Sequence, residues 1–280
     1  MQSEKQKIVR TFKTASFSVL RLPPSGSHII IMKRLIARLD IKGNRLVKGI
    51  HLEGWRFLPD HPNDYCYKYY TQGIDEIIYV DAVASLYNRD SIKEIIRKTT
   101  DNVFIPITVG GGIRSVEDAH DILRSGADKV AVCSQAVKTP EIISEIASRF
   151  GNQCMVLSIQ AKKDVQGNYK VWYDVAREKT EMDVIEWAQR GEAMGAGEIL
   201  LTSVDAEGME RGMDLQLIEK VSAAVSIPVI ASGGVGTAQH VADALLKGAD
   251  AVAVAKALHY GKLTVSQLKD TVHAQQIEIR

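Results

Sequence analysis

The stretch "GGGIRSVEDAHDILRSGADKVAVCS" (Gly110–Ser134) occurs a second time, in altered form, as "SGGVGTAQHVADALLKGADAVAVAK" (Ser232–Lys256). Asp128 of the first copy pairs with Asp250 of the second, 122 residues further on (250 − 128). The chain therefore contains an internal repeat, and a repeat predicts a fold built from like units.

Two more segments keep the same spacing. "GIDEIIYVD" aligns with "GAGEILLTS", which places Glu76 against Glu198, and "IPI" aligns with "IPV", which places Ile105 against Ile227. Both pairs are 122 residues apart (198 − 76 and 227 − 105). Chance matching does not easily hold one spacing over three separate segments, so we divide the chain into two repeated halves.

Short apolar runs rich in β-formers alternate with amphipathic helical stretches from residue 32 to residue 280. Strands that alternate with helices pair in parallel, and eight such strands with an internal two-fold repeat close into a barrel. We predict an α/β fold, a single (β/α)8 TIM barrel built from two repeated half-barrels. A doubly wound open sheet is the alternative, but it gives no reason for the duplication. The runs are "LIARLD", "EIIYVD", "IPITVGG", "KVAVCS", "MVLSIQ", "EILLTS", "IPVIASGG" and "AVAVAK".

The composition is that of a globular protein without a marked charge. The 280 residues are 45% hydrophobic and 25% charged, with a net charge of +1. This balance predicts a sizeable core and no binding to nucleic acid or to a membrane. The cysteines Cys66, Cys133 and Cys154 are odd in number and far apart, so we predict no disulfide framework and no metal site. We also predict no cofactor. The cysteines fit a reducing cytoplasm, which is the location we predict.

The first 31 residues differ from the rest. They are rich in Ser, Lys and Arg, contain one acid, Glu4, and end near the breaker-rich "LPPSGS" (Leu22–Ser27). Arg21 interrupts their only apolar run, which argues against a secretory signal. We predict that residues 1–31 are an N-terminal extension, disordered or not native, before a barrel at residues 32–280. An organelle transit peptide is the alternative.

In such barrels the functional groups lie at the C-terminal strand ends and in the loops that follow. "VGGGIRS" follows the third predicted strand and "ASGGVGT" the seventh. Glycines let a phosphate approach the backbone, and the N-terminus of the next helix offers N–H groups. Tight turns are the alternative reason for these glycines. Paired on opposite sides of the mouth, the two sites predict a substrate with a phosphate at each end. The predicted residues are Gly111, Gly112 and Ser134 for one site, and Gly233, Gly234, Ala255 and Lys256 for the other.

The first and fifth strands end between these two sites, at Asp40 and Gln160, which align at nearly the repeat spacing (160 − 40 = 120). Two carboxylates in these places would suit acid–base work on a molecule held at both ends. Here only Asp40 ionises, because a glutamine amide exchanges no proton near neutral pH. We predict that Asp40 is catalytic; a carboxylate that only caps a loop is the alternative.

The opposite face of the barrel holds a second set of polar side chains. Four charged residues stand at the starts of predicted strands that are otherwise apolar, and such charges are costly to bury unless they are paired. Two basic and two acidic side chains can form a closed ring, whereas an ordinary solvated barrel bottom is the alternative. The four are Arg34, Glu76, Lys129 and Glu198.

Several segments together resemble the cyclase (HisF-type) subunit of imidazole glycerol phosphate synthase: "RLIARLDIKGNRLVKG", "GIDEIIYVD", "TVGGGI", "GADKV", "GAGEILLTS" and "IPVIASGG". The resemblance runs from about Met32 to the C-terminus. It implies an ammonia-using synthase that docks a glutaminase (HisH-type) subunit on the barrel bottom. Ammonia would then pass through the charged ring to a phosphorylated ribulosyl formimino aminoimidazole carboxamide nucleotide, which is cyclised.

The resemblance also implies roles for single residues. Asp40 matches the first catalytic aspartate of that family, Lys48 a lysine of its mobile first loop, and Gln160 stands where its second catalytic aspartate would be. The four charges of the predicted ring match its ammonia gate, and further matches to phosphate-side positions are Gly112, Gly208, Ser232 and Gly234.

The chain departs from the family's pattern around the predicted mouth. Besides Gln160, Cys133 stands for an asparagine, Glu207 for an aspartate and Lys256 for a serine, and "YDVAR" (Tyr173–Arg177) lacks an expected serine-glycine. The first loop also lacks the usual glycine-aspartate-proline. We therefore expect a divergent paralogue that retains ammonia delivery and is weak in the family's cyclisation.

Three alternatives to the cyclase interpretation remain at this point. The first is a paralogue that delivers ammonia for amidination of a nucleotide-linked surface-polysaccharide sugar. The second is a sugar-phosphate isomerase of the sister barrel family, which needs no gate. The third is a non-catalytic scaffold that activates a glutaminase.

Overall fold

The computed structural model describes residues 32–82 and 90–280. The predicted N-terminal extension, residues 1–31, lies outside the described residues. Eight strands correspond to the predicted apolar runs: β1 (Arg34–Lys42), β4 (Glu76–Asp81), β5 (Ile107–Gly110), β6 (Lys129–Val132), β7 (Met155–Lys163), β10 (Glu198–Ser203), β11 (Val229–Ser232) and β12 (Ala251–Val254).

These eight strands form a closed parallel barrel. Each pairs with the next in the order β10-β11-β12-β1-β4-β5-β6-β7, and β7 pairs with β10 to complete the ring. The predicted TIM barrel is thus confirmed. The helices around it are α1 (Pro62–Thr71), α2 (Asp90–Thr100), α3 (Val116–Arg124), α4 (Ser134–Lys138), α5 (Glu141–Phe150), α6 (Val184–Ala193), α7 (Leu215–Ala224), α8 (Ala238–Leu246), α9 (Lys256–His259) and α10 (Val265–Ala274).

The two halves of the barrel repeat each other in register. Strands β4, β5 and β6 start 122 residues before β10, β11 and β12 (198 − 76, 229 − 107 and 251 − 129). Glu76 pairs with Ile36 of β1, and its counterpart Glu198 pairs with Val156 of β7. Positions in β1 and β7 therefore correspond at 120 residues (156 − 36), which makes Asp40 and Gln160 equivalent.

Alternating side chains of the strands divide the core into two layers. The larger layer lies between the barrel and its helices and includes Leu35, Ala37 and Leu39 of β1. A smaller apolar layer fills the barrel interior, because every second side chain of a strand points to the same face. The interior layer consists of Ile36, Ile78, Ala131, Val156, Leu200, Ile230, Ala251 and Ala253.

Each half also carries a β-hairpin at its mouth, which the sequence analysis did not predict. Strands β2 (Arg45–Ile50) and β3 (Glu53–Phe57) follow β1, and β8 (Tyr169–Tyr173) and β9 (Glu178–Asp183) follow β7. The hairpins meet in a small apolar cluster of Leu52, Ala176 and Val204, with Trp55, Trp172 and Val175 packed against it. Within the described residues, no helix is long and apolar enough to cross a membrane.

Candidate active site at the barrel mouth

The four charges at the strand starts meet in a closed ring of ion pairs. The Arg34 guanidinium lies 2.7 Å from the Glu76 carboxylate and 2.5 Å from that of Glu198. Lys129 Nζ completes the ring at 3.3 Å from Glu76 and 2.7 Å from Glu198. Because each charge has two opposite neighbours, the four charges balance one another at the N-terminal end of the strands, which is the paired arrangement of the two that the residue pattern left open.

At the other end of the strands, a cavity of about 160 Å³ opens between the hairpins. Asp40 and Gln160 both line it, and so do three of the predicted phosphate-site residues: Gly111, Gly112 and Ser134. The structure thus brings together groups from β1, β5, β6 and β7 that are far apart in the sequence.

Asp40 belongs to a buried network of four charges. One of its carboxylate oxygens accepts a hydrogen bond from Arg38 Nε at 3.0 Å and the other from Lys48 Nζ at 2.9 Å. Lys48 also donates to the carboxylate of Glu207. All four residues are at most 5% exposed, and two positive charges balance two negative ones. Because burying an unpaired charge is costly, the network is stable only as a whole.

These neighbours decide the charge of Asp40. Burial by itself would raise the pKa of its carboxyl, but the positive charges of Arg38 and Lys48 outweigh burial and lower the pKa to about 2. Asp40 is therefore a carboxylate over the whole physiological pH range. A group with so low a pKa is a weak base, so what Asp40 offers the cavity is its negative charge and its hydrogen bonds.

Gln160, the second predicted catalytic residue, holds the hairpin that follows its strand. Its Oε1 accepts the backbone N–H of Ala176 at 2.7 Å. Asp174, Val175 and Ala176 have φ angles of 50°, 59° and 59°, in the left-handed region that is unfavourable for residues other than glycine. The Asp174 N–H donates to Ser134 Oγ at 3.0 Å. Gln160 and Ser134 thus stabilise an unfavourable turn over the cavity.

The two helices that follow the glycine loops carry side-chain caps at their N-termini. Helix α3 begins with a capping box, in which Ser115 accepts the Asp118 N–H while Asp118 accepts that of Ser115. At α8, the side chain of His240 accepts the N–H groups of Gly236 and Thr237. At the helices after "VGGGIRS" and "ASGGVGT", side chains of the helix thus engage part of the N–H groups at the N-terminus.

The N-termini of the short helices α4 and α9 have no such cap. The side chains of their N-cap residues, Cys133 and Ala255, make no capping hydrogen bond.

The glycines of the two loops are required by the fold itself. A Cβ on Gly111 would lie 2.3 Å from the Asp81 carbonyl oxygen, and one on Gly234 would lie 2.0 Å from that of Gly212. The glycine pattern alone is thus explained by tight turns.

The second predicted phosphate site is a separate, smaller cavity of about 20 Å³. Lys256 crosses it, since its Nζ donates to the Gly208 carbonyl oxygen at 2.8 Å and pairs with Glu210 at 3.2 Å. The cavity is lined by the predicted residues Gly208, Ser232, Gly233, Gly234, Ala255 and Lys256, and also by Lys48 and Glu207.

Comparison with known proteins identifies the family. A sequence model of histidine biosynthesis proteins matches residues 34–264. The imidazole glycerol phosphate synthase subunit HisF of Legionella pneumophila is 62% identical over 203 residues, which cover 72% of this chain and 95% of that protein. The chain belongs to the HisF family. HisF subunits of Corynebacterium diphtheriae and Alkaliphilus metalliredigens are 46% and 43% identical and cover 88% and 90% of this chain, with 98% and 100% of their own lengths matched.

The comparison corrects one expectation. Gln160, Cys133, Glu207 and Lys256 suggested a divergent paralogue of the HisF family, but 62% identity to a HisF subunit does not support that interpretation. The departures are thus features of a HisF chain. In the structure Gln160 has a local structural role, because its side chain accepts the Ala176 N–H and so holds the hairpin turn.

The sequence analysis missed Arg38, although a signal was present. In "RLIARLD" the side chains of Arg34, Ile36, Arg38 and Asp40 alternate with apolar ones and must share the inner face of β1. Arg38 lies between Arg34 and Asp40 on this face, so its charge had to lie inside the barrel. Its contacts follow from the fold and could not be read from the sequence.

His259 of α9 supports β1 from outside the barrel. Its Nε2 lies 3.0 Å from the Arg38 carbonyl oxygen, so this nitrogen carries the proton, and Nδ1 accepts from the Tyr69 hydroxyl at 2.8 Å. Burial, with the nearby charge of Lys48, lowers the pKa of His259 to about 3. The folded protein therefore keeps this imidazole neutral.

We expect a stability loss in mild acid from this histidine. Below its ordinary pKa of 6.5 the unfolded chain binds a proton that the folded chain does not, so stability falls with pH from about 6.5 toward 3. The slope is about 1.4 kcal/mol per pH unit for one proton. Urea unfolding between pH 7.5 and 5 measures it. His259→Gln should flatten the slope, while His273→Gln, at an exposed position, should not. Equal slopes in all three proteins would contradict the assignment.

Proposed function

We propose that the chain is the ammonia-using cyclase subunit of a glutamine amidotransferase complex of the imidazole glycerol phosphate synthase type. A class I glutaminase docks at the N-terminal face of the barrel and releases ammonia there. The ammonia reaches the cavity at the opposite mouth, where it reacts with the phosphorylated ribulosyl nucleotide. We also place this activity in the cytoplasm, which suits the three free cysteines.

One observation carries the proposal: the ion-pair ring and the Asp40 cavity stand at opposite ends of one barrel. Arg34 of the ring and Asp40 of the cavity lie on the inner face of the same strand, β1. Between them lies the apolar interior layer, which suits neutral ammonia better than a hydrated ion, and above that layer the buried Arg38 side chain. In a HisF-family chain this arrangement supports entry of ammonia at one end and its use at the other.

The predicted phosphate sites fit the same proposal. One lies in the larger cavity, beside Ser134 and the N-terminus of α4, and the other in the smaller cavity, beside Lys256 and the N-terminus of α9. Between them stands Asp40. A substrate with a phosphate at each end would extend across the mouth and place its reacting atoms over this carboxylate.

Glu198→Ala is expected to impair glutamine-supported turnover at least about tenfold more than ammonium-supported turnover, a difference of about 1.4 kcal/mol in barrier. The change leaves Arg34 and Lys129 to share Glu76, so the ring carries an unbalanced positive charge. Ammonium salt enters through the open mouth and does not need the ring. Steady-state rates with each nitrogen source, in the presence of the glutaminase, give the ratio.

The control is Glu219→Ala, which removes an exposed carboxylate of α7 that pairs with Lys247. It should change neither rate. If Glu198→Ala reduces both rates equally, or if no class I glutaminase binds the chain, the ring has no part in ammonia delivery.

A further inference from the structure

Arg38 has no role in the function proposed so far, yet it occupies the centre of the barrel. It lies on β1, two residues before Asp40, and is 5% exposed. Its Nη1 donates to Thr202 Oγ1 of β10 at 3.1 Å and to Ser232 Oγ of β11 at 3.0 Å. In the barrel order, β12 and β11 separate β1 from β10. The side chain therefore reaches across the interior, directly above the apolar layer.

The guanidinium contacts Asp40 from a different side than Lys48 does. Arg38 Nε holds Oδ1 at 3.0 Å, from inside the barrel, and Lys48 Nζ holds Oδ2 at 2.9 Å, from hairpin strand β2. A carboxylate whose two oxygens are bound by two separate cations has one orientation. Because Arg38 is itself fixed by Thr202 and Ser232, this orientation is tied to the far wall of the barrel.

We propose that Arg38 is a positioning residue of the active site, which holds the Asp40 carboxylate in one orientation from the barrel interior. The proposal rests on the proposed function for its catalytic meaning, but its geometric content is independent of turnover. Lys48 cannot replace Arg38 in this role, because Lys48 also pairs with Glu207 and would then serve two buried carboxylates alone.

The effect of the neighbouring charges on the ionisation of Asp40 also supports this role for Arg38. Burial disfavours its ionised form, and among the groups that oppose burial Arg38 has the largest effect, followed by Lys48. Without Arg38 the network would hold one positive and two negative charges, and one carboxylate would take up a proton more readily. The other titratable or charged groups that face Arg38, Asp40 or the cavity are Glu207, His259, Cys133, Asp81, Asp174, Arg114 and Lys138.

The test compares Arg38→Met, which keeps the length and removes the charge, with Arg38→Lys, which keeps the charge and loses the planar fork. The readout is carbon NMR of the Asp40 carboxyl during an acid titration without substrate, with the resonance assigned by its loss in Asp40→Asn. We expect the Asp40 titration midpoint to rise by at least about one pH unit in Arg38→Met and by less in Arg38→Lys. Arg149→Met, which removes an exposed charge of α5, is the control and should leave it unchanged.

An Asp40 midpoint in Arg38→Met equal to that of the wild type would overturn the proposal. If Arg38→Met does not fold, Arg38→Gln decides the question, because its amide can still donate to the Thr202 and Ser232 hydroxyls. If the wild type shows no turnover, the proposed function fails while the NMR titration still decides the role of Arg38.

Discussion

Asp40→Asn is expected to reduce turnover by about 10²-fold or more, with ammonium and with glutamine alike. Asparagine keeps the shape of the side chain but removes its charge, and it can present an NH2 group to Arg38 or Lys48, which are donors themselves. The buried network would then hold two positive charges and only Glu207 to balance them. The substrate would lose the carboxylate of Asp40, which lies between the two proposed phosphate sites.

The measurement is kcat with each nitrogen source, together with circular dichroism to establish that the variant folds. Asp121→Asn is a matched control, because Asp121 is an exposed residue of α3 that pairs with Lys93. It should have wild-type activity. A folded Asp40→Asn protein that retains more than about a tenth of the wild-type kcat would remove Asp40 from the mechanism, since positioned acid–base or charge effects are larger than that.

Gln160→Asp is expected to raise ammonium-supported cyclisation about tenfold or more. General acid–base assistance is worth about 10²–10⁴-fold in rate, and a glutamine amide cannot supply it. Asp40 does not fill this gap, because its pKa of about 2 makes it a weak base. The variant should recover only part of the rate that general acid–base assistance can supply. Aspartate is one methylene shorter than glutamine and gives up the hydrogen bond to Ala176 that holds the hairpin turn.

Two further variants separate these effects. Gln160→Glu keeps the length of the side chain and adds a carboxylate, whereas Gln160→Ala removes the hydrogen bond and adds nothing. We expect the rates to fall in the order carboxylate variants, wild type, Gln160→Ala. If the wild type turns over as fast as both carboxylate variants, proton transfer does not need a second ionisable group at this strand end.

The fold was largely predictable because it repeats. A spacing of 122 residues over three segments fixed which strands correspond, and strand register then made Asp40 and Gln160 equivalent. The charged ring was also predictable, since four charges at the starts of apolar strands have few ways to be buried. These inferences need only the period of a strand and the cost of an unpaired charge.

Local contacts around the mouth were less predictable. The segments "RLVKGI" and "YKVWY" alternate in polarity as strands do, yet nothing in the sequence states that their hairpins meet over the cavity. The capping boxes were visible as Ser115 and Asp118 at the required spacing, but the glycines before them drew attention to phosphate instead. Which partners Arg38 finds across the barrel depends on tertiary structure alone.

The central claim is that the chain uses ammonia to cyclise a phosphorylated ribulosyl nucleotide at the mouth that contains Asp40. Its most direct test is incubation of the purified chain, without a glutaminase, with the ribulosyl bisphosphate nucleotide and an ammonium salt, and detection of imidazole glycerol phosphate. We predict that the wild type forms the product, that Gln160→Asp forms it faster and that Asp40→Asn forms almost none. Unchanged substrate with both the wild type and Gln160→Asp would contradict the account.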